Sequence, residues 1–197
     1  MTPVNTTSLS LLDRLKHAKP DAAEWDRLHE IYQPLIRHWL SCLPGLRDEI
    51  EDLTQDILVV VFRRLPGFER QRHGSFRAWL RQITVHRMLS FCKTRRKQPR
   101  ADGSSTIEQL LTQLGDSNSD LARQWDRDHD KHVFDKLLTL VQPDFAPATW
   151  QAFTRFALDN QSAAHVAKEL GMSESAVVQA KSRVLKRLRE EAGDLMD

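Results

Sequence analysis

Apolar positions along this chain recur at intervals of three and four residues, and almost no window alternates at two, so the pattern predicts helices throughout. The first covers about Asp21 to Ser41, with Trp25, Leu28, Ile31, Tyr32, Leu35, Ile36 and Trp39 on one face, and Pro44 and Gly45 end it. A second covers about Arg47 to Leu65, where Ile50, Leu53, Ile57, Val60, Val61 and Leu65 form the buried stripe before Pro66 and Gly67. The third follows the Gly74-Ser75 turn, with Ser75 as N-cap and Phe76, Trp79, Leu80, Ile83 and Leu89 directed inward. Three helices of this length can share one core.

From Gln98 to Asp130 the period fails. Pro99, Gly103, Ser104, Ser105, Gly115, Ser117, Asn118 and Ser119 interrupt it and acids outnumber bases, which predicts a flexible acidic linker holding a short helix about Thr106 to Leu114. Fully extended, such a tether reaches on the order of 100 Å at about 3.3 Å per residue. Helical spacing resumes with Val133, Leu137, Leu138, Leu140 and Val141, and continues through Trp150, Phe153, Phe156 and Ala157. Ser162 then caps a short helix with Val166, Ala167 and Leu170 inward, Gly171 makes a turn, and Ser173 caps a longer helix with Val177, Ala180, Val184 and Leu188 inward. The expected fold is all-α: an N-terminal extension 1–20, a helical bundle 21–97, a flexible linker 98–130 and a second small domain 131–197.

Charge changes this picture, because 29 basic and 27 acidic residues nearly cancel while the signs stay segregated. Asp48, Glu49, Glu51, Asp52 and Asp56 crowd the first turns of the second helix. The helix dipole favours carboxylates there, but the polar set Asp52, Gln55 and Asp56 beside Leu53 also suits a basic helical partner. Between Arg63 and Arg100 the sign reverses: Arg63, Arg64, Arg70, Arg72, Arg77, Arg81, Arg87, Lys93, Arg95, Arg96, Lys97 and Arg100 face a single acid, Glu69. Bases at that density favour a polyanion, through contacts that are salt-dependent and largely blind to sequence. Phe76 and Trp79 sit at helical spacing with Leu80 and Ile83 and read as core, so the loop from Phe68 to Ser75 is the better place to hold an unstacked base.

Near the C-terminus, Ala167, Gly171 and Val177 have the spacing of a helix-turn-helix, in which a small residue allows close crossing, glycine takes the left-handed turn and an apolar residue seals the second helix. The outward face of that second helix carries Ser175, Val178, Gln179, Ser182, Arg183 and Lys186, a set suited to base edges and phosphates. An ordinary helical hairpin with a solvated basic face is the competing reading.

Several classes fall away. No apolar run approaches the roughly 20 residues of a spanning helix, and Met1 to Ser10 shows no secretory pattern, so a cytoplasmic protein is expected. Cys42 and Cys92, fifty positions apart, form no disulfide framework and are expected to be buried. His38 and Cys42 share a helix face but lack further ligands, so neither a metal centre nor a cofactor is expected. No nucleophile or carboxylate cluster has the partners an enzyme needs, and Tyr32 reads as core.

The runs DEIEDLTQDILVVVFRRLPGFER, GSFRAWLRQITVHR and SAAHVAKELGMSESAVVQAKSRVLKRLRE, in that order, resemble the extracytoplasmic-function sigma factors of bacterial RNA polymerase, in the sigma-70 superfamily. The resemblance implies a promoter-recognition subunit with a region 2-like bundle and a region 4-like helix-turn-helix domain. Asp52, Leu53, Gln55 and Asp56 match the segment that docks on the clamp helices of the largest polymerase subunit, with the flap as a second contact of the family. Arg70, Arg72, Ser75, Arg77, Arg81, His86 and Arg87 fall in the loop and helix that bind and open the minus-ten element and capture a flipped base. Ser175, Val178, Gln179, Ser182, Arg183 and Lys186 fall in the helix that enters the major groove at the minus-thirty-five element. An anti-sigma protein is a further partner common in the family.

The sequence departs from the family at four places. His86 stands where an asparagine is usual, Ser90 where an aspartate is common, and Val178 and Gln179 replace positions often held by Lys or Arg and by Ser, so the promoter sequence does not transfer. The reading from a different class is a stand-alone helix-turn-helix repressor, which would bind a palindromic duplex without polymerase.

Overall fold

Nine α-helices and no strand make up the described residues, 11–17, 23–69, 75–95, 104–192 and 195, of this computed structural model. The helices are α1 (Leu11–His17), α2 (Ala23–Ser41), α3 (Ile50–Arg64), α4 (Ser75–Arg95), α5 (Ser104–Gly115), α6 (Asp120–Val141), α7 (Pro147–Phe153), α8 (Ala163–Leu170) and α9 (Glu174–Ala192). The chain divides into two units, Leu11–Val133 and Phe134–Gly193.

In the first unit, α2 packs on α3, α3 on α4, and α4 on α5. The stripe expected on α2 is buried throughout, from Trp25 to Leu40, because its apolar residues return every three or four positions. On α3 the buried row is Leu53, Thr54, Ile57, Leu58 and Val61, while Ile50 and Val60 are half-buried. The α3 helix runs out into a single 3-10 turn, Leu65–Gly67, with Pro66 in its first positions, where a missing N–H costs nothing. Phe76, Leu80, Ile83, Val85, Met88 and Cys92 of α4 complete the core, and Trp79 and Leu89 stand at its edge, half-buried. Part of the expected N-terminal extension belongs here too: Leu11, Leu12 and Leu15 of α1 are fully buried, and α1 lies on α2 and the Leu65–Gly67 turn.

The short helix expected about Thr106 to Leu114 lies within α5, but the flexible linker around it is corrected, because α6 begins at Asp120. Residues 104–115 and 120–133 are helical and belong to the first unit, so the extended reach of a tether does not apply to them. On α5, Ile107, Leu111 and Leu114 are buried; on α6, Ala122, Trp125, His129 and Val133 form one inward row at spacings of three and four. The Trp125 ring packs against that of Trp39, tilted by 48° with the centroids 5.0 Å apart. His132 bonds the Ile31 carbonyl at 2.7 Å, in the turn of α2 that Pro34 interrupts. The α5–α6 junction is a short turn in which Ser119 accepts from the Ala122 amide and so caps α6.

In the second unit α8 and α9 follow each other across a tight turn at Gly171. Ala152, Val166, Ala167, Val177 and Ala180 form the centre of this unit, flanked by Phe156, Ala163, Leu170 and Met172. Ser162 caps α8 by accepting from the His165 amide, and Ser173 caps α9 by accepting from the Ala176 amide. Gly171 takes the left-handed conformation (φ 63°, ψ 34°), and the Met172 amide reaches back to the Ala167 carbonyl at 3.0 Å, a Schellman closure. No atom lies within 4 Å of a Cβ built at Gly171, so Gly171→Ala meets backbone strain alone. That change is expected to cost about 1–2 kcal/mol, measured as a shift in the urea midpoint; no shift would mean the turn relaxes freely.

One expectation about side chains is reversed. Cys92 is buried, but Cys42, one residue beyond the end of α2, is exposed.

Candidate nucleic-acid interface

The bases of the segment Arg63 to Arg100 were not expected all to find internal partners, because Glu69 is the sole acid among them, yet acids from α6, from α3 and from the turn before α3 reach those of α4. Nη1 of Arg77 donates to both oxygens of Asp130 (3.1 and 2.8 Å), and its Nε lies 3.6 Å from Asp126. Arg81 is only 3% exposed; its Nη1 donates to Asp126 at 2.5 Å and approaches the Ala122 carbonyl at 3.4 Å. Both acids lie on α6. Arg87 donates to Asp56 of α3 at 2.6 Å, and Arg95 donates to the Gly45 carbonyl at 2.8 Å with Glu49 at 3.4 Å.

The α4–α6 seam continues inward through titratable groups. His129 is fully buried, with Nδ1 at 3.0 Å from Asp130 and Nε2 at 3.4 Å from the Tyr32 hydroxyl. A carboxylate only accepts, so His129 Nδ1 donates toward Asp130. Burial pushes the Asp130 carboxyl upward, but the His129 hydrogen bond and the Arg77 charge outweigh it and hold the group below its ordinary value. Burial, with the Asp130 charge adding to it, raises the Tyr32 hydroxyl well above the usual tyrosine range.

The expected minus-ten residues therefore divide. His86 is exposed, and Arg87 is half-buried in its pair with Asp56. Arg77 and Arg81 hold α6 in place, and Arg81 presents almost no surface to a ligand. Arg70 and Arg72 lie outside the described residues, as does the side chain of Ser75, whose backbone opens α4. The described bases left on the surface of the first unit include Arg63, Arg64 and Lys93. Phe68 and Phe76 are buried, and with Trp79 they form a cluster of rings 5.1 to 5.5 Å apart.

On α3, Asp52, Gln55 and Asp56 are exposed, with Val59 44% exposed one turn on. Leu53 does not join them: at 5% exposure it belongs to the core row of α3. The exposed acids are a surface; the leucine beside them in sequence is not.

In the second unit, Ser175, Val178, Gln179, Ser182, Arg183 and Lys186 are all exposed and share one face of α9, opposite Val177, Ala180, Val184 and Leu188. Gln179 donates to Ser175 Oγ at 3.4 Å, and Lys186 lies 3.9 Å from Glu190. The neighbouring bases have other duties. Lys181 sits 5.1 Å over the Phe156 ring, and Arg187 donates to Asp144 and to the buried Glu191, both at 2.8 Å. Burial tends to lower the Arg187 guanidinium, but its hydrogen bonds to Glu191 and Asp144 win and raise it. Arg187 thus ties α9 to the 3-10 turn Gln142–Asp144, leaving Arg183, Lys186 and Arg189 as the exposed bases of the helix.

Reading the sequence missed Asp126, His129, Asp130 and His132, which join α6 to α4 and α2. The available signal was the opposition of an acid-rich segment to a base-rich helix. No described helix is long and apolar enough to cross a membrane, and no group of metal-ligating side chains appears among the described residues.

Residues 28–98 match the family model described as Sigma-70 region 2. The match takes in α3, α4 and most of α2, and stops before α5, so it bears on the first unit. No curated protein matches the chain.

Proposed function

We propose that this chain is a sigma factor of the extracytoplasmic-function type, which joins core RNA polymerase in the cytoplasm and directs it to a set of promoters. One observation carries the reading: a segment matching Sigma-70 region 2 is followed in the same chain by a capped helix-turn-helix with a polar and basic outer face. In this reading the exposed Asp52, Gln55 and Asp56 of α3 dock on polymerase. The segment before α4, with Ser75, His86 and Arg87 of α4, meets the minus-ten element. The face Ser175 to Lys186 of α9 enters the major groove upstream.

The mechanism is binding rather than bond chemistry. Two modest DNA contacts on one polymerase-bound chain reinforce each other, because the second forms at the high effective concentration set by the first. Arg77 and Arg81 serve this indirectly, by holding α6 against α4.

Run-off transcription with purified core polymerase and a genomic promoter library tests the proposal. New start sites that need the added chain are expected; no binding to core together with no new start overturns it. Replacing Asp52 and Gln55 together by Ala is expected to weaken core binding by about tenfold or more, as truncation at a docking surface does. Both are exposed, so the fold stays intact, and unchanged affinity in a titration would place the docking surface elsewhere.

A further inference from the structure

We infer that Val178 selects a thymine in the upstream element by packing against its 5-methyl group. The inference rests on the reading of α9 as a recognition helix and adds which base chemistry that helix selects.

Val178 is 51% exposed, one of three large apolar side chains so exposed among the described residues, with Val59 and Leu158. A lone exposed valine is ordinary on a protein surface. This one is set apart by its place. It is the fifth residue of α9, in the half that follows the Ser173 cap, on the face opposite the buried Val177 and Ala180. Its exposed neighbours within one turn are Glu174, Ser175, Gln179 and Ser182, all polar or charged, so it belongs to no apolar patch that a protein partner would cover. A β-branched side chain is also a poor choice for a solvated helix face, where χ1 is restricted and nothing is buried in return.

A major groove supplies what the solvent does not. Thymine alone among the bases presents a methyl group there, beside its O4 acceptor. The short, stiff valine holds its two methyl groups at a fixed height above the helix, and contact with a thymine methyl removes apolar surface from water on both partners. Cytosine at the same position would turn its N4 amino group toward an apolar side chain, leaving a donor without an acceptor. Discrimination thus has an attractive part and a repulsive part.

The test uses the full chain with core polymerase on an upstream element obtained by selection from random duplexes. Each thymine of the element is replaced in turn by uracil, which removes the methyl and nothing else. At one position the replacement is expected to weaken element-dependent binding about fourfold, the effect of one buried methyl. Val178→Ala should weaken binding to the thymine duplex by a similar factor and no longer distinguish uracil at that position. Arg183→Ala should weaken binding while keeping the uracil effect. If Arg183→Ala weakens element use but no uracil penalty depends on Val178, this inference falls and the recognition-helix reading stands. If no element is selected, or neither substitution in α9 changes its use, the recognition-helix reading falls and takes this inference with it.

Discussion

Replacing Trp125 by Ala is expected to lower the stability of the first unit by about 3–5 kcal/mol, the loss that follows removal of a fully buried aromatic. Trp125 is 0% exposed, packs against Trp39 and helps wall a small apolar cavity of about 70 Å³ lined by side chains that include Leu43, Leu110, Leu111, Leu114 and Leu121. Truncation merges the indole's volume with that existing void, which surrounding helices cannot close without moving. The indole N–H has no hydrogen-bond partner among the described residues, so Trp125→Phe should recover most of the loss. Urea unfolding followed by far-UV circular dichroism reads both variants. A cost under about 1 kcal/mol for Trp125→Ala, well short of the cavity range, would mean that α5 and α6 are a dispensable appendage after all.

Asp126→Ala should be as damaging for a different reason. The change leaves Arg81, at 3% exposure, without the carboxylate 2.5 Å away, and its Nε already has no partner among the described residues. An uncompensated buried charge typically costs about 3–5 kcal/mol. Arg77 still has Asp130, so the loss falls mainly on Arg81. Removing both charges together, as Arg81→Met with Asp126→Leu, is expected to restore stability to within about 1 kcal/mol of the parent, because a buried ion pair is replaceable by apolar packing. If the double variant were no better than Asp126→Ala alone, the damage would come from lost packing of α6 and not from charge. Asp130 extends the same seam into acid. Its carboxyl is held below its ordinary 3.8, so its contribution is complete above that pH and is lost as pH falls through the lowered value.

Strong, local apolar periodicity made α2, α3, α4, α8 and α9 legible. In α2 every expected inward residue is buried, and Ser162, Gly171 and Ser173 do what their residue types suggest at helix ends and turns. The short helix expected about Thr106 to Leu114 was legible and lies within α5, whereas the helix of residues 120–133 was hidden behind the run Gly115 to Ser119 that precedes it, of which Ser119 is its cap. The inward row of α6 includes one small residue, Ala122, and one imidazole, His129, and a hydropathy reading counts neither as core. Its acids looked like solvated linker charge because their partners, Arg77 and Arg81, lie some forty-five to fifty-three positions away. Pairing at that separation leaves no trace in a local window. The same blindness placed Arg81 on a DNA-binding surface. Leu53 has two readings in sequence, as a member of the buried stripe and as part of the docking segment; its burial agrees with the first, as helical geometry requires of a member of the core row.

The unequal exposure of the two cysteines turns the protein into its own probe. Cys42 is open to solvent whereas Cys92 is 2% exposed within α4. A maleimide therefore labels one position in the folded chain without any engineered site, giving a fluorophore anchored at the end of α2. Alkylation of the other thiol must wait for the bundle around α4 to open, so its rate in native buffer reports how often that helix is uncovered, and binding of polymerase or promoter can be followed as a change in that rate.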